Sequence, residues 1–129
     1  MIAIDTNLVV RFLTRDDPAQ LPAVNALFES GQVFISNTVL LETYWVLRKR
    51  FGLKREEIVG ALRGISGLES VVLEAHARVS YAFDAVAAGL DFEDAIHLAA
   101  AQECDAFVTF DRRLLKKSSS IGGVPVRLP

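Results

Sequence analysis

Several residue types that define whole classes of proteins are scarce in this chain. The single cysteine, Cys104, excludes an intramolecular disulfide, which favours a reducing compartment. One cysteine and two histidines, His76 and His97, provide no ligand spacing typical of a zinc site. No apolar run approaches the roughly 18 residues of a membrane-spanning helix, and Asp5 interrupts the first apolar residues where a signal peptide would continue. We therefore expect a soluble, cytoplasmic protein that does not bind zinc.

The chain also lacks the basic excess of a general nucleic-acid-binding protein. Its formal net charge is −2 at pH 7, and a strongly positive domain is the usual electrostatic signature of such a protein. Ten of the 14 basic residues nevertheless fall within residues 48–63 and 112–117. Two solvent-exposed helix faces are enough to explain this distribution. The basic clusters gain a functional meaning only if an acidic catalytic centre lies near them.

The length and hydrophobic pattern of the chain predict one α/β domain over residues 1–129. A hydrophobic fraction of 51% is enough for a sizeable core. Short, continuously apolar strands alternate with amphipathic helices, which is typical of a parallel sheet covered on both faces. We expect a three-layer α/β/α sandwich with a short, mainly parallel sheet. The predicted strands are 2–4, 33–35, 71–73, 106–110 and 124–128, and the predicted helices are 8–13, 18–30, 39–50, 54–65, 75–88, 92–103 and 112–117.

Four acidic residues fall where such a sheet places functional groups, at the carboxyl ends of its strands. Asp5 follows the first predicted strand, and Asp111 follows the strand at 106–110. Glu42 lies about one turn into the helix after the second strand. Asp94 joins them if its helix, capped by Asp91, begins at the same edge.

Each acid also has an ordinary structural explanation. Asp5 and Asp111 are residue types that close turns by accepting hydrogen bonds from nearby backbone. Asp94 stands three residues after Asp91, as in a capping box, and an acid in a first helical turn is favoured by the helix dipole. Glu42 is a good helix former that can face solvent. Several carboxylates converging on one cleft, however, would repel one another unless a cation neutralised them. Oxygen ligands of this kind suit Mg²⁺ or Mn²⁺.

Four short motifs in this order resemble the PIN-domain family, in particular the VapC-type toxins of prokaryotic toxin–antitoxin pairs. The resemblance covers essentially the whole chain. The motifs are Asp5-Thr6-Asn7 after the N-terminal strand, Leu41-Glu42-Thr43, the segment 91–99 with Asp94, and Val108-Thr109-Phe110-Asp111-Arg112. Each is weak singly, but the four together in this strand and helix context are specific.

The resemblance implies an Mg²⁺- or Mn²⁺-dependent endoribonuclease, usually a homodimer, that a cognate antitoxin holds inactive. It implies that Asp5, Glu42, Asp94 and Asp111 are catalytic and bind one or two metal ions, which activate water to cut a phosphodiester bond and leave 5′-phosphate and 3′-hydroxyl ends. Asp5 and Asp94 are the first choices for direct ligands. Candidates for an outer shell, or for a further ligand, are Thr6, Asn7, Asp91 and Thr109. Candidates for RNA contacts, by location only, are Arg11, Arg15, Arg48 and Arg112.

Other functions predict patterns that this chain lacks. A phospho-receiver domain needs an acceptor aspartate after a central strand, and the second strand here ends in Ser36-Asn37-Thr38. A phosphatase of the haloacid-dehalogenase type needs a second aspartate at position 7, where this chain has Asn7. An inactive PIN-like module that binds RNA or protein is an alternative function. DNA is an alternative substrate, because metal-dependent hydrolysis of a phosphodiester needs no 2′-hydroxyl.

Overall fold

The computed structural model describes every residue from Met1 to Pro129 and contains seven helices and five short strands. None of the helices combines the length and the apolar character that crossing a membrane requires. The elements in chain order are β1 (Ile2–Ala3), α1 (Thr6–Thr14), α2 (Leu21–Ser30), β2 (Val33–Ile35), α3 (Asn37–Arg50), α4 (Arg55–Ser66), β3 (Val71–Leu73), α5 (His76–Ala87), α6 (Phe92–Ala100), β4 (Phe107–Val108), α7 (Arg112–Ser118) and β5 (Val126–Arg127).

Short polar side chains define where the helices begin after strands. Asp5 precedes α1 and accepts a hydrogen bond from the backbone N–H of Leu8. Ser36 precedes α3, and its hydroxyl accepts from the N–H of Val39. Each cap supplies an acceptor for one of the N–H groups that a helix start leaves unpaired. The strand-to-helix turns are therefore specified by local sequence.

The chain divides into two compact units, and the first comprises Met1–His76. Its three strands form a parallel sheet in the order β1-β2-β3, with Ile35 beside Leu73 in register. The central strand β2 is buried at Val33 and Ile35, whereas β1 is an edge strand whose Ile2 is 53% exposed. Helix α3 packs against both α1 and α4. Fully buried side chains on these helices include Val9, Leu40, Leu47, Ile58 and Leu62.

The second unit comprises Ala77–Pro129. Its strands β4 and β5 pair in parallel, with Phe107 beside Val126 and Val108 beside Arg127. Phe83 of α5 and Phe92 of α6 are both buried, and their rings stack with centroids 6.2 Å apart. This aromatic pair packs the start of α6, the helix that contains Asp94, against α5.

The structure confirms the predicted α/β class with a short parallel sheet, and it corrects several element boundaries. The helix predicted from residue 18 begins at Leu21, because the Asp17 carboxylate accepts from the N–H groups of Ala19 and Gln20 and closes a turn first. The helix predicted to reach residue 103 ends at Ala100. The prediction that residues 2–4 form a buried strand was wrong for Ile2 and Ala3, which are exposed on a strand at the edge of its sheet, whereas Ile4 is buried.

Candidate functional site

Asp5 lies in the turn between β1 and α1. One of its carboxylate oxygens, Oδ1, accepts the N–H of Leu8 at 3.1 Å and caps the helix. The side chain is exposed, whereas Thr6, beside it, is buried at 6% exposure. Asn7 is exposed at the same turn. Asp5 therefore has the structural role of a turn residue through Oδ1. Its other carboxylate oxygen, Oδ2, is available to a ligand.

Asp111 occupies the corresponding turn between β4 and α7. Its Oδ1 accepts two backbone N–H groups, from Arg113 at 2.9 Å and from Leu114 at 3.0 Å. The Thr109 hydroxyl in turn accepts the N–H of Asp111 at 3.0 Å. Thr109 therefore positions the backbone of Asp111, which is one way for an outer-shell residue to orient a ligand.

Asp94 lies in the first turn of α6 and is partly buried. Burial raises the pKa of its carboxyl above the ordinary value, and the negative charges of Asp91 and Asp111 raise it further. His97 acts in the opposite direction, and Glu93 adds a smaller upward effect on the same pKa. Asp91 is the N-cap residue by backbone conformation, but its side chain makes no capping hydrogen bond. Asp94 is thus a crowded acid rather than part of a capping box.

Glu42 is exposed on α3, so a solvent-facing glutamate agrees with its position. It shares a helix face with Trp45 and Lys49 through three- and four-residue spacing. The Lys49 ammonium lies 5.1 Å from the centre of the Trp45 ring, which is 37% exposed. Next to Glu42, Thr43 is fully buried, and its hydroxyl has no hydrogen-bond partner.

The structure places two of the predicted acids near each other. Asp94 and Asp111 lie within electrostatic reach of each other in the second unit, and Asp5 and Glu42 belong to the first. No three acidic, histidine or cysteine side chains form a group that could hold a metal ion. The donor chemistry nevertheless fits a hard divalent cation, because the negative charges of Asp91 and Asp111 act on Asp94 and such a cation relieves this repulsion. The four-carboxylate site stays a prediction.

The arginines proposed to contact RNA differ in whether their side chains already have partners within the chain. Arg11 donates to Gln20 at 3.0 Å and pairs with Asp16 at 3.2 Å. The Thr14 hydroxyl and, secondarily, Arg11 hold the pKa of Asp16 below its ordinary value. Arg48 donates to the carbonyl of Leu53 at 3.1 Å.

The remaining two candidates have no such partners. Arg15 ends α1 in the left-handed region, at φ 54°. Arg112 is exposed and has no ion pair. Arg112 is therefore the candidate cation with a free charge directly beside a predicted catalytic acid.

Two features near the acids are not evident from the sequence. Phe110, immediately before Asp111, is 84% exposed. In the first unit, a recess of about 460 Å³ lies beside Asp5, with lining residues that include Asn7, Leu8 and Gln20. Side-chain exposure and surface shape depend on contacts between distant segments, so local sequence patterns provide no signal for either.

Comparisons with known proteins agree with the motif pattern. The family model described as PIN domain matches residues 2–119. No curated protein matches the chain. Among solved structures, the VapC20 toxin of Mycobacterium tuberculosis, described as cleaving the sarcin–ricin loop, aligns at 24% identity and a TM-score of 0.43, over 98% of this chain and 99% of that chain. The family model spans nearly all of the sequence and both compact units, and the chain therefore belongs to the PIN-domain family.

Proposed function

We propose that this protein is a metal-dependent endoribonuclease that hydrolyses phosphodiester bonds in RNA, and that it is the toxin of a toxin–antitoxin pair. The observation that best supports the proposal is the partly buried position of Asp94 near Asp91 and Asp111, since burial and these two negative charges raise the pKa of its carboxyl. Crowded carboxylates are destabilising in themselves and are typical of sites that bind cations. In a PIN-domain chain with acids at its strand ends, this crowding favours a metal site over a structural role.

Asp5, Glu42, Asp94 and Asp111 would hold Mg²⁺ or Mn²⁺. When bound, such an ion lowers the pKa of water and offsets negative charge on the phosphate. The backbone N–H groups of Arg113 and Leu114 hold one oxygen of Asp111, which limits the rotation of that carboxylate. Thr6, Asn7, Asp91 and Thr109 would position ligands or water around this site, as the hydroxyl of Thr109 already positions the backbone of Asp111.

The acidic centre repels RNA, so binding depends on cations at its edge. Arg112 is exposed and makes no ion pair within the chain. Arg11 and Arg48 have internal hydrogen bonds that RNA would have to replace. We propose Arg112 as the main phosphate contact, with Arg11, Arg15 and Arg48 contributing less.

The proposed partners follow from membership of the family. A cognate antitoxin would inhibit the enzyme by placing a basic side chain against the acids, and the active form would be a homodimer in the cytoplasm. Measuring the mass of the purified chain in solution, with and without a co-expressed antitoxin, tests both partner proposals.

One observation favours a second candidate, an inactive PIN-like module that binds RNA or protein. In the structure no three ligand-type side chains form a group that could hold a metal ion. The two candidates make opposite predictions about metal binding and RNA cutting. One experiment therefore separates them.

The test is incubation of the purified chain, freed of co-purifying protein, with total cellular RNA and Mg²⁺ or Mn²⁺, followed by sequencing of 5′ ends. Parallel reactions contain EDTA, the variant Asp5→Asn or the variant Asp94→Asn. Matched controls are Asp17→Asn, which removes charge from another acid that caps a turn, and Glu93→Gln, which changes the exposed acid next to Asp94. DNA of the same sequence as a cleaved RNA tests sugar specificity.

Discrete metal-dependent cuts that both controls keep and both Asp5→Asn and Asp94→Asn lose would support the nuclease. Full activity of either of those two variants would refute its assigned role. Metal binding without cutting, measured by calorimetry, would point to a missing substrate or a bound inhibitor. Absence of both would favour the inactive module.

A further inference from the structure

Phe110 is the most exposed of the large hydrophobic side chains. Its side chain is 84% exposed, against 47% for Val108 and 37% for Trp45. By contrast, Phe28, Phe83 and Phe92 are buried. An aromatic ring in solvent forgoes the stabilisation that burial gives and leaves its face available to a ligand.

The backbone on both sides of Phe110 is firmly held. The N–H of Thr109 donates to the carbonyl of Arg127 at 3.0 Å, which joins the end of β4 to β5. Beyond Phe110, the Asp111 carboxylate accepts two N–H groups of α7, and Leu114 anchors that helix in the core. The ring is thus presented by an ordered turn between a strand and a helix, and it is not a side chain on a loose loop.

The neighbours of Phe110 on the chain are charged and exposed. Asp111, a predicted catalytic acid, follows at a Cα distance of about 3.8 Å. Arg112 and Arg113 come next, both exposed and without an ion pair. A π surface and two free cations therefore stand beside an acid proposed to act on phosphate.

We propose that the Phe110 ring stacks on a nucleobase of single-stranded RNA next to the phosphate that is cut. The inference rests on the proposed nuclease function and extends it to how the substrate is held. Every base has a face that an aromatic ring can contact, while Arg112 and Arg113 are placed to contact the adjoining phosphates. An aromatic platform combined with cations is the usual composition of a single-strand binding surface.

These features fit RNA better than a second protein chain. The centre of a protein–protein interface is depleted of charged residues, and here three consecutive charged residues adjoin the ring. The exposed apolar side chains at this turn are Phe110 and Val108 alone, far short of the roughly 800 Å² per partner that a stable interface needs. The charge is instead complementary to a phosphate backbone.

Binding of a short fluorescein-labelled oligouridine in EDTA, where metal-dependent hydrolysis is off, tests the proposal by fluorescence anisotropy. Phe110→Ala and Phe110→Leu are expected to bind about tenfold more weakly than the unchanged chain, since leucine keeps apolar area but has no π face. Phe110→Trp is expected to keep the affinity. Val108→Ala, a change at the neighbouring exposed apolar residue, is the matched control and is expected to bind normally, with thermal melting as a check on folding.

A sugar–phosphate oligomer of equal length without bases isolates the stacking contribution. The unchanged chain and Phe110→Ala should bind this oligomer equally, because neither has a base to stack on. Equal affinity of Phe110→Leu and the unchanged chain for oligouridine would overturn the proposal. A tenfold loss of affinity of Phe110→Ala that persists on the base-free oligomer would also overturn it. Normal RNA affinity of the Phe110 variants, together with a changed oligomeric state by light scattering, would overturn it too and would identify a protein contact.

The failure of this inference is distinguishable from failure of the nuclease proposal. If the unchanged chain cuts cellular RNA while all Phe110 variants bind oligouridine normally, the nuclease stands and the stacking role falls. If the unchanged chain neither binds nor cuts RNA, both proposals fall.

Discussion

Two turns of this molecule have the same local design and different surroundings. Asp5 follows β1 and caps α1, and Asp111 follows β4 and caps α7. In both, a carboxylate oxygen accepts backbone N–H groups of the helix. The neighbouring residues differ: Asp5 is followed by Thr6, which is buried, whereas Asp111 is preceded by Phe110, which is exposed.

The difference shows that a motif at a strand end specifies a conformation but not a role. At the Asp5 turn the flanking residues Ile4 and Thr6 are buried, whereas Asp5 itself is exposed. The Asp111 turn directs an aromatic ring and Arg112 outward, which suits contact with a substrate. Asp94, which caps nothing, differs from both because its charge is crowded by other acids.

The largest expected effect comes from neutralising either capping acid. Asn caps a helix about as well as Asp, so Asp5→Asn and Asp111→Asn should keep the fold. Each should nevertheless lower RNA cleavage by at least about 100-fold, because each removes a charge proposed to bind the metal. Initial cleavage rates, with circular dichroism as the folding control, check this. Normal cleavage by either variant would contradict the metal-binding role proposed for that acid.

Alanine at the same positions tests the structural half of the comparison. Asp5→Ala and Asp111→Ala should each lower the free energy of unfolding by about 1 kcal/mol, since the cap is lost with the charge. The asparagine variants should be close to the unchanged chain in the same urea titration. Asp111 accepts two N–H groups and Asp5 one, so a smaller loss at Asp111 would contradict the capping argument.

Cations near the two turns offer a finer test. Arg112→Gln should weaken RNA binding a few-fold and lower the slope of log affinity against log salt by about 1. Arg11→Gln should change this slope less, because Asp16 already pairs with Arg11. Anisotropy titrations over a range of salt concentrations measure both slopes. A larger change for Arg11 would mean that the Asp5 turn, and not the Asp111 turn, is the main phosphate contact.

The smallest expected effect is a change in folding stability when the charge of Asp94 is removed. Its pKa is raised in the folded state, so the unfolded chain loses this proton at lower pH and ionisation favours unfolding. The contribution of Asp94 to native stability is thus greatest below the ordinary pKa of 3.8 and falls as pH rises through the raised value. Asp94→Asn should therefore raise the melting temperature near neutral pH in EDTA by on the order of 1–3 °C.

That gain should disappear in acid, where Asp94 is protonated in both states. Glu69→Gln, a change at an exposed acid in the first unit, is the control for removal of one negative charge. Thermal melts from acid to neutral pH check the trend. A gain for Asp94→Asn that does not depend on pH would show that packing, rather than burial of the charge and repulsion from Asp91 and Asp111, is responsible.

Much of the fold follows from patterns within a few residues. The strand at 33–35 and the strand at 71–73 were predicted with the boundaries that β2 and β3 have. Their apolar side chains are bounded by residues that form turns, so local sequence is sufficient. The start of α2 was predicted wrongly, because the same Asp17 carboxylate can cap a helix or close a turn and here it closes a turn.

The candidate site also has features that the sequence predicted and features that it did not. The sequence indicated the acids at the strand ends and the family to which they belong, and the family model confirmed the latter. It did not indicate that Arg11 is paired with Asp16 and Gln20, since the choice among nearby partners depends on how α1 meets the segment that follows it. Nor did it indicate that Phe110 faces solvent.

The sequence by itself determined the order of the elements, the capping of α1 and α7 by Asp5 and Asp111, and the pattern of acids that identifies the family. These features depend on hydrogen bonds and apolar spacings within three or four residues. Only the tertiary structure decided which side chains are exposed, which arginines keep a free charge and which acid has a raised pKa. Exposure and electrostatic crowding arise from groups that folding brings near one another, some of them far apart in the chain, as Asp111 is from Asp94.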